Sequence, residues 1–165
     1  MKILGIDPGL STTGYGIVEV RDDKLKFITH GSIRKLPRTG FTENLLGIFQ
    51  GIEKIIHDFQ PGYCSIEDIF YHQNKKTAII MGHARGVAML AAAKNSIPVY
   101  EYSPREVKMS IVGSGAASKI QVQAMVKNIL GLSEIPQSDD AADALAVAIC
   151  HFHRLKFLKS MAKQA

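Results

Sequence analysis

The chain lacks most of the devices that hold a protein together without a core. Its 165 residues include only two cysteines and six prolines, and they show no internal repeat and no heptad run. No stretch of about 20 residues is continuously apolar, so a membrane-spanning helix is not expected. The opening residues, MKILGIDPG, put Asp7 and Pro8 where a secretory leader needs an apolar region, so no leader is expected. Cys64 and Cys150 both lie in apolar stretches. They read as buried thiols in a reducing, cytoplasmic setting rather than as a disulfide or a metal-binding pair. No long segment is polar or biased enough to be disordered.

What is present is the composition of one ordinary globular domain, 46% hydrophobic and 21% charged, long enough to build a core without staples. The expected organisation is one domain over 1–158 followed by a short basic tail, 159–165. The formal charge is +5, weak evidence by itself for a polyanionic partner. Its distribution says more. Residues 151–165 hold Arg154, Lys156, Lys159 and Lys163 and no acid, which leaves a net +1 for the rest. Arg34, Lys35 and Arg38 form a second basic cluster. Both also read as an ordinary solvated tail and turn.

Hydrophobic patterning predicts a short buried strand over Lys2–Asp7, closed by the turn Asp7-Pro8-Gly9. Strands follow at Tyr15–Val20 and Leu25–Ser32 as a meander, with Asp22-Asp23 between them. Leu45, Phe49, Ile52, Ile56 and Phe59 make one apolar stripe, which predicts a helix over 42–59. Tyr63–Ile66 reads as a fourth strand with Glu67 at its end, reached by a right-handed crossover and therefore parallel to the first. A helix rich in small residues is expected over 75–95, a fifth strand over Ile97–Tyr100, and a loop-like stretch around Gly113-Ser114-Gly115. Helices are expected over 118–130 and from about 140 to 158, the last with Leu145, Ala148, Ile149, Phe152 and Leu155 inward. The pattern is α/β around a mixed five-stranded sheet, with the first strand central between the second and fourth.

Asp7 follows a buried strand, where a carboxylate is costly unless it is paired or meets a cation. An Asx-type turn is the ordinary alternative. Glu67 repeats the pattern. If the two strands are parallel neighbours, both acids emerge at the edge where open α/β sheets bind ligands. Asp140 and Asp143 are three apart and share one side of a helix. A favourable helix dipole, or capping by Ser138, Asp139 or Asp140, would also account for acids there. Alanines at 141, 142 and 144 let that helix approach the sheet. Four carboxylates at one edge without cysteine favour a hard, oxygen-seeking ion. Two Mg²⁺ ions about 4 Å apart can activate water and stabilise the leaving oxygen in phosphodiester hydrolysis. Asp7 with Gly9 is also similar to the first phosphate turn of actin-like ATPases, but the chain is short for two lobes and shows no second phosphate loop.

The stretches GIDPGLSTTGYG, IEDIF, GHARGV, VKMSIVGSGAASKIQVQAMV and SDDAADALAVAICH resemble the RuvC family of Holliday-junction resolvases, in order and over nearly the whole chain. The resemblance implies a ribonuclease-H-like fold and a homodimer that makes paired, symmetric nicks in four-way junctions during recombination and repair. It also implies Mg²⁺, with Mn²⁺ as a substitute, a branch-migration motor of two other proteins as partner, and a cytoplasmic, nucleoid-associated location. Asp7, Glu67, Asp140 and Asp143 match the metal-binding catalytic acids. Phe70 matches an aromatic that inserts at the opened junction centre, and Lys108 and Lys119 match basic residues near the site or the DNA backbone. Gly82, His83, Gly86 and Val87 are interface candidates, with packing inside the chain as the alternative. A related nuclease for another nucleic acid, or a junction-binding module without activity, are the competing readings.

Some residues depart from the family pattern. Asp139 is an extra acid that substitutes for Asp140 or tunes the local charge. Asp68 follows Glu67 directly, but strand alternation turns it to the other face. His83 stands where the family often has Gln, and His72 lies near Phe70. Each has either a DNA contact or a local hydrogen bond as its reading.

Overall fold

The computed structural model describes residues 1–68, 75–136 and 138–163. Alternation along the first strand sets the architecture. Ile3 belongs to one core cluster, and Leu4 and Ile6 to another on the opposite face, so the strand is buried on both sides. The strands are β1 (Lys2–Asp7), β2 (Thr12–Arg21), β3 (Lys24–Arg34), β4 (Tyr63–Glu67) and β5 (Val99–Tyr102). Their spatial order is β3-β2-β1-β4-β5. β1–β2 and β2–β3 are antiparallel, and β1–β4 and β4–β5 are parallel. This is the mixed five-stranded sheet expected from the sequence, with β1 at its centre.

Helices α1 (Phe41–Phe59) and α2 (Lys75–Lys94) cover one face. Helices α3 (Pro104–Val112), α4 (Lys119–Leu130) and α5 (Asp139–Ala162) cover the other. On α1 the buried line is Asn44, Ile48, Ile52, Ile55 and Ile56. Leu45, Phe49 and Phe59 flank it half-buried, so the apolar stripe is rotated slightly from the expected one. On α2 the packed side is Ala84, Ala88, Ala91 and Ala92. On α4, Val122, Val126 and Leu130 are buried, with Met125 and Ile129 beside them.

Two expectations need correction, and one helix has no counterpart among them. β5 begins at Val99 and runs to Tyr102 rather than spanning Ile97–Tyr100. The Ile97 N–H bonds back to Ala92 O at 3.0 Å and Pro98 has no N–H to give. Helix α3 fills residues for which the sequence predicted no element, ahead of the expected loop around Gly113-Ser114-Gly115. It is built by a capping box, in which Ser103 Oγ accepts from the Glu106 N–H and Glu106 Oε2 accepts from the Ser103 N–H. Pro104 opens its first turn. Helix α5 continues to Ala162, past the expected end near 158. Residues 156–162 contain neither Gly nor Pro to stop it.

Helix α5 is the centre of the second core. Ala141, Ala142 and every residue from Ala144 to Phe152 are buried. Leu145 and Ile149 are fully so, and truncating either to Ala would remove about 2–5 kcal/mol, a large part of a domain's net stability. His151 is also fully buried; it shares a 2.7 Å hydrogen bond with the Tyr102 hydroxyl and stacks on Tyr100. Burial, then the Arg154 charge, pushes its pKa down to about 4, so it is neutral in the fold. Both cysteines are buried and unpaired, and burial raises the Cys64 thiol to about 12.

Candidate active site

Asp7 ends β1 opposite Gly14 of β2. Ile66 lies beside Ile6 in the parallel pair, so Glu67 emerges next to Asp7 at the same sheet edge. Parity places both on the α5 face, since Leu4, Ile6, Cys64 and Ile66 pack on the opposite one. The turn after Asp7 is tied down at two points. Thr13 Oγ1 donates to Gly9 O at 2.8 Å, and buried Asn44 donates from α1 to Leu10 O at 2.6 Å. Asp68 faces the other way. It pairs with Arg85 of α2 at 3.2 Å, and the same guanidinium also pairs with Glu101 of β5.

The first turns of α5 reach this edge because β1 and β2 carry no side chain in their path. A Cβ on Gly5 would collide with the backbone of Ala144, and one on Gly14 with the backbone of Asp140. The helix therefore lies backbone against sheet, which brings Asp140 and Asp143 over the ends of β1 and β4. Lys119, first residue of α4, reaches in from the side. Its Nζ lies 2.9 Å from Asp143 Oδ2 and 3.4 Å from Asp139 Oδ2. Ser118 caps α4 by accepting from the Gln121 N–H and so fixes where Lys119 begins.

The electrostatics show four acids acting on one another. Burial, then Glu67, Asp143 and Asp140, pushes Asp7 up to about 8, against a smaller opposing pull from Lys119. Burial, then Asp143, pushes Glu67 up to about 7, and Lys119 and Lys108 oppose it. Asp143 is raised by burial despite its bond to Lys119. Carboxylates so placed carry more negative charge than the neighbouring lysines offset. Beside them is a cleft of about 180 Å³ lined by Glu67, Val107, Lys108, Lys119, Val122 and Asp143 among others. Lys108 is delivered by α3, the helix that the sequence reading missed.

The chain matches the family model described as crossover junction endodeoxyribonuclease RuvC over residues 3–151. It belongs to the RuvC family. A RuvC from Ruminiclostridium cellulolyticum is 50% identical over 151 residues, covering 92% of this chain and 91% of that protein. One from Syntrophomonas wolfei is 46% identical, covering 100% and 98%. The solved structure of Thermus thermophilus RuvC in complex with Holliday junction substrate superposes with a TM-score of 0.89 at 32% identity, covering 95% of this chain and 96% of that one. The ribonuclease-H-like fold expected from the sequence is thus the fold observed.

Within the RuvC frame, Asp7, Glu67, Asp140 and Asp143 meet at one edge, with Lys108 and Lys119 beside them. Phe70 and His72 lie outside the described residues. His83 makes local contacts, with Nδ1 2.7 Å from Ile79 O and its ring edge-on to Phe41. Asp139 pairs with Lys119 and accepts from Gln123 Nε2 at 2.8 Å. The sequence reading gave no part to Gln123 or Arg85, and neither carries a spacing that would reveal it. Among the described residues, no three of the Asp, Glu, His and Cys side chains stand close enough to share one ion in this conformation. The donor set nevertheless suits a hard cation: it is all oxygen, it is partly desolvated, and an ammonium already sits on one member.

Proposed function

We propose that this chain hydrolyses phosphodiester bonds of four-way DNA junctions at the acid cluster where β1, β4 and α5 meet. The family makes it a structure-selective endonuclease that resolves Holliday junctions. The observation that supports the site assignment is the convergence of the four acids at one sheet edge, where burial first, and then the charges of Glu67, Asp143 and Asp140, raise Asp7 to about 8. Asp7, Glu67, Asp140 and Asp143 would hold Mg²⁺, in two positions, with Mn²⁺ as a substitute. A divalent ion bound there supplies Lewis-acid activation of water and charge stabilisation of the leaving oxygen.

The chain's own residues supply the rest. Asp7, with three acid neighbours, would be the central ligand. Glu67 and Asp143 flank it, and Asp140 completes the set from the first turn of α5. Lys119 and Lys108 offset the charge of an approaching phosphate, which the acids alone would repel. Phe70, close after Glu67 in the chain, is assigned to stack on a base at the opened junction centre. The chain works as a homodimer that offers one site to each of two opposed strands. The exposed line Ile79, Gly82, Gly86 and Leu90 on α2 supports this. A branch-migration motor is its partner on the junction.

The deciding experiment is Mg²⁺-dependent cleavage of a mobile four-way junction, with nicks mapped on all four strands. Paired nicks at symmetric positions are expected, and Asp7→Asn should bind the junction without cutting it. Cutting by Asp7→Asn at the normal rate would remove Asp7 from the site. A preference for plain duplex or RNA–DNA hybrid would move the chain to another substrate.

A further inference from the structure

Lys119 is a cation already inside the acid cluster, and two carboxylates share it. Asp143 Oδ2 holds its ammonium at 2.9 Å and Asp139 Oδ2 at 3.4 Å. Asp139 is itself held, since Gln123 Nε2 donates to its other oxygen at 2.8 Å. Lys119 and Gln123 are four apart on α4, and Asp139 and Asp143 are four apart on α5, so each pair shares one helix face. The four side chains form a ladder between the helices. Its two acids differ in setting. The Asp143 side chain is 26% exposed, whereas that of Asp139 is 67% exposed and stands at the outer rim.

An ammonium on Asp143 opposes any divalent cation that needs that carboxylate. For the cation to bind, Lys119 must leave Asp143 without dragging the acid away. Asp139 lies within reach of the same Nζ, so a small rotation of the lysine completes the exchange. We propose that Asp139 is a positioning residue for Lys119, the carboxylate that takes over the ammonium when Asp143 turns to a divalent cation. The lysine is then kept beside the cleft, where a phosphate would arrive. The inference rests on reading the acid cluster as a cation site.

The test is Mn²⁺ binding to the DNA-free protein, measured by electron paramagnetic resonance or calorimetry, so that no turnover is needed. Asp139→Asn leaves Lys119 with Asp143 as its one holder, and Mn²⁺ affinity should fall by about threefold or more. Lys119→Met removes the competitor and should tighten binding. In the Lys119→Met background, Asp139→Asn should cost clearly less than in the wild type, because no ammonium is left to reposition. Asp139→Glu keeps the carboxylate and should restore affinity. Gln123→Leu, which releases Asp139, should weaken binding in the same direction.

Equal losses from Asp139→Asn with and without Lys119 would overturn the proposal, since they would show only a general charge effect. So would wild-type affinity in Asp139→Asn. A wild-type protein that takes up no Mn²⁺, or an Asp7→Asn variant that binds it undiminished, would overturn the cation-site reading together with the proposal. A wild type that binds, combined with an additive cycle, overturns the role of Asp139 only.

Discussion

Glu67 and Asp68 are adjacent in the chain and serve opposite faces of the sheet. Glu67 joins the acid cluster under α5, while Asp68 meets Arg85 on the side of α2. The Asp68 N–H also donates to Tyr102 O at 2.8 Å. The end of β4, and with it the direction of Glu67, is therefore held from behind by an ion pair that never enters the site.

Arg85→Met tests that support. It leaves Asp68 and Glu101 without their shared cation, and because both are nearly half-exposed the loss of stability should be modest, about 1–2 kcal/mol by urea unfolding. Combining it with Glu101→Gln should cost less than the sum of the two single changes. Full additivity would show that the pairing contributes little.

The metal-free protein should show an unusual pH dependence. Asp7 and Glu67 titrate near 8 and 7 in the fold, well above their ordinary values of 3.8 and 4.5. Between those values and about 8 the folded chain holds protons that the unfolded chain has released, so stability falls as pH rises through that window. His151 acts in the opposite sense below about 6.5, where the unfolded chain takes up a proton that the buried imidazole refuses. In EDTA at pH 8, Asp7→Asn should be more stable than wild type by roughly 1–3 kcal/mol. Saturating Mg²⁺ should reverse the order. Thermal melts from pH 5 to 9, with and without Mg²⁺, decide it.

Gly14→Ala should separate geometry from binding. The added Cβ meets the backbone of Asp140 and must push the first turn of α5 off the sheet. A shift of about 1 Å in catalytic groups can cost about 100-fold in rate, with about 1–3 kcal/mol of stability lost to overpacking. Junction affinity, which depends on neutralising the phosphate backbone rather than on the placement of these acids, should change far less. Gel-shift and single-turnover cleavage on one preparation would show the split, and equal losses in both would contradict it.

Gly82→Glu bears on the dimer. A Cβ at Gly82 meets nothing within 4 Å among the described residues, so the single chain should fold with little change in melting temperature. Light scattering should show a monomer at concentrations where the wild type is a dimer, together with loss of paired nicking. A variant that stays dimeric would place the interface elsewhere.

The sequence made the sheet and the four acids legible because their signals are local. Alternation in β1 shows in Ile3, Leu4 and Ile6, and three alanines among four residues of α5 mark close packing. Helix α3 was missed because nine residues give only Val107 and Ile111 as buried positions; the cue that remained was Ser103-Pro104 followed by Glu106. β5 was displaced by two residues because apolar Ile97 imitates a strand start while its N–H turns back to the preceding helix. The ladder of Lys119, Gln123, Asp139 and Asp143 joins residues up to 24 positions apart. Such pairing depends on how α4 and α5 pack, which periodicity along one segment does not encode.

Two of the acids ride on the helix whose next three turns fill the core. Segments that open readily are those with few buried contacts, and α5 from Ala141 to Phe152 is the reverse of that. Fraying at the start of α5 is opposed by the same packing that holds the whole fold together. A partly opened molecule with a loosened acid cluster is therefore disfavoured: the cluster is assembled when the protein is folded, and dismantled only when it is not.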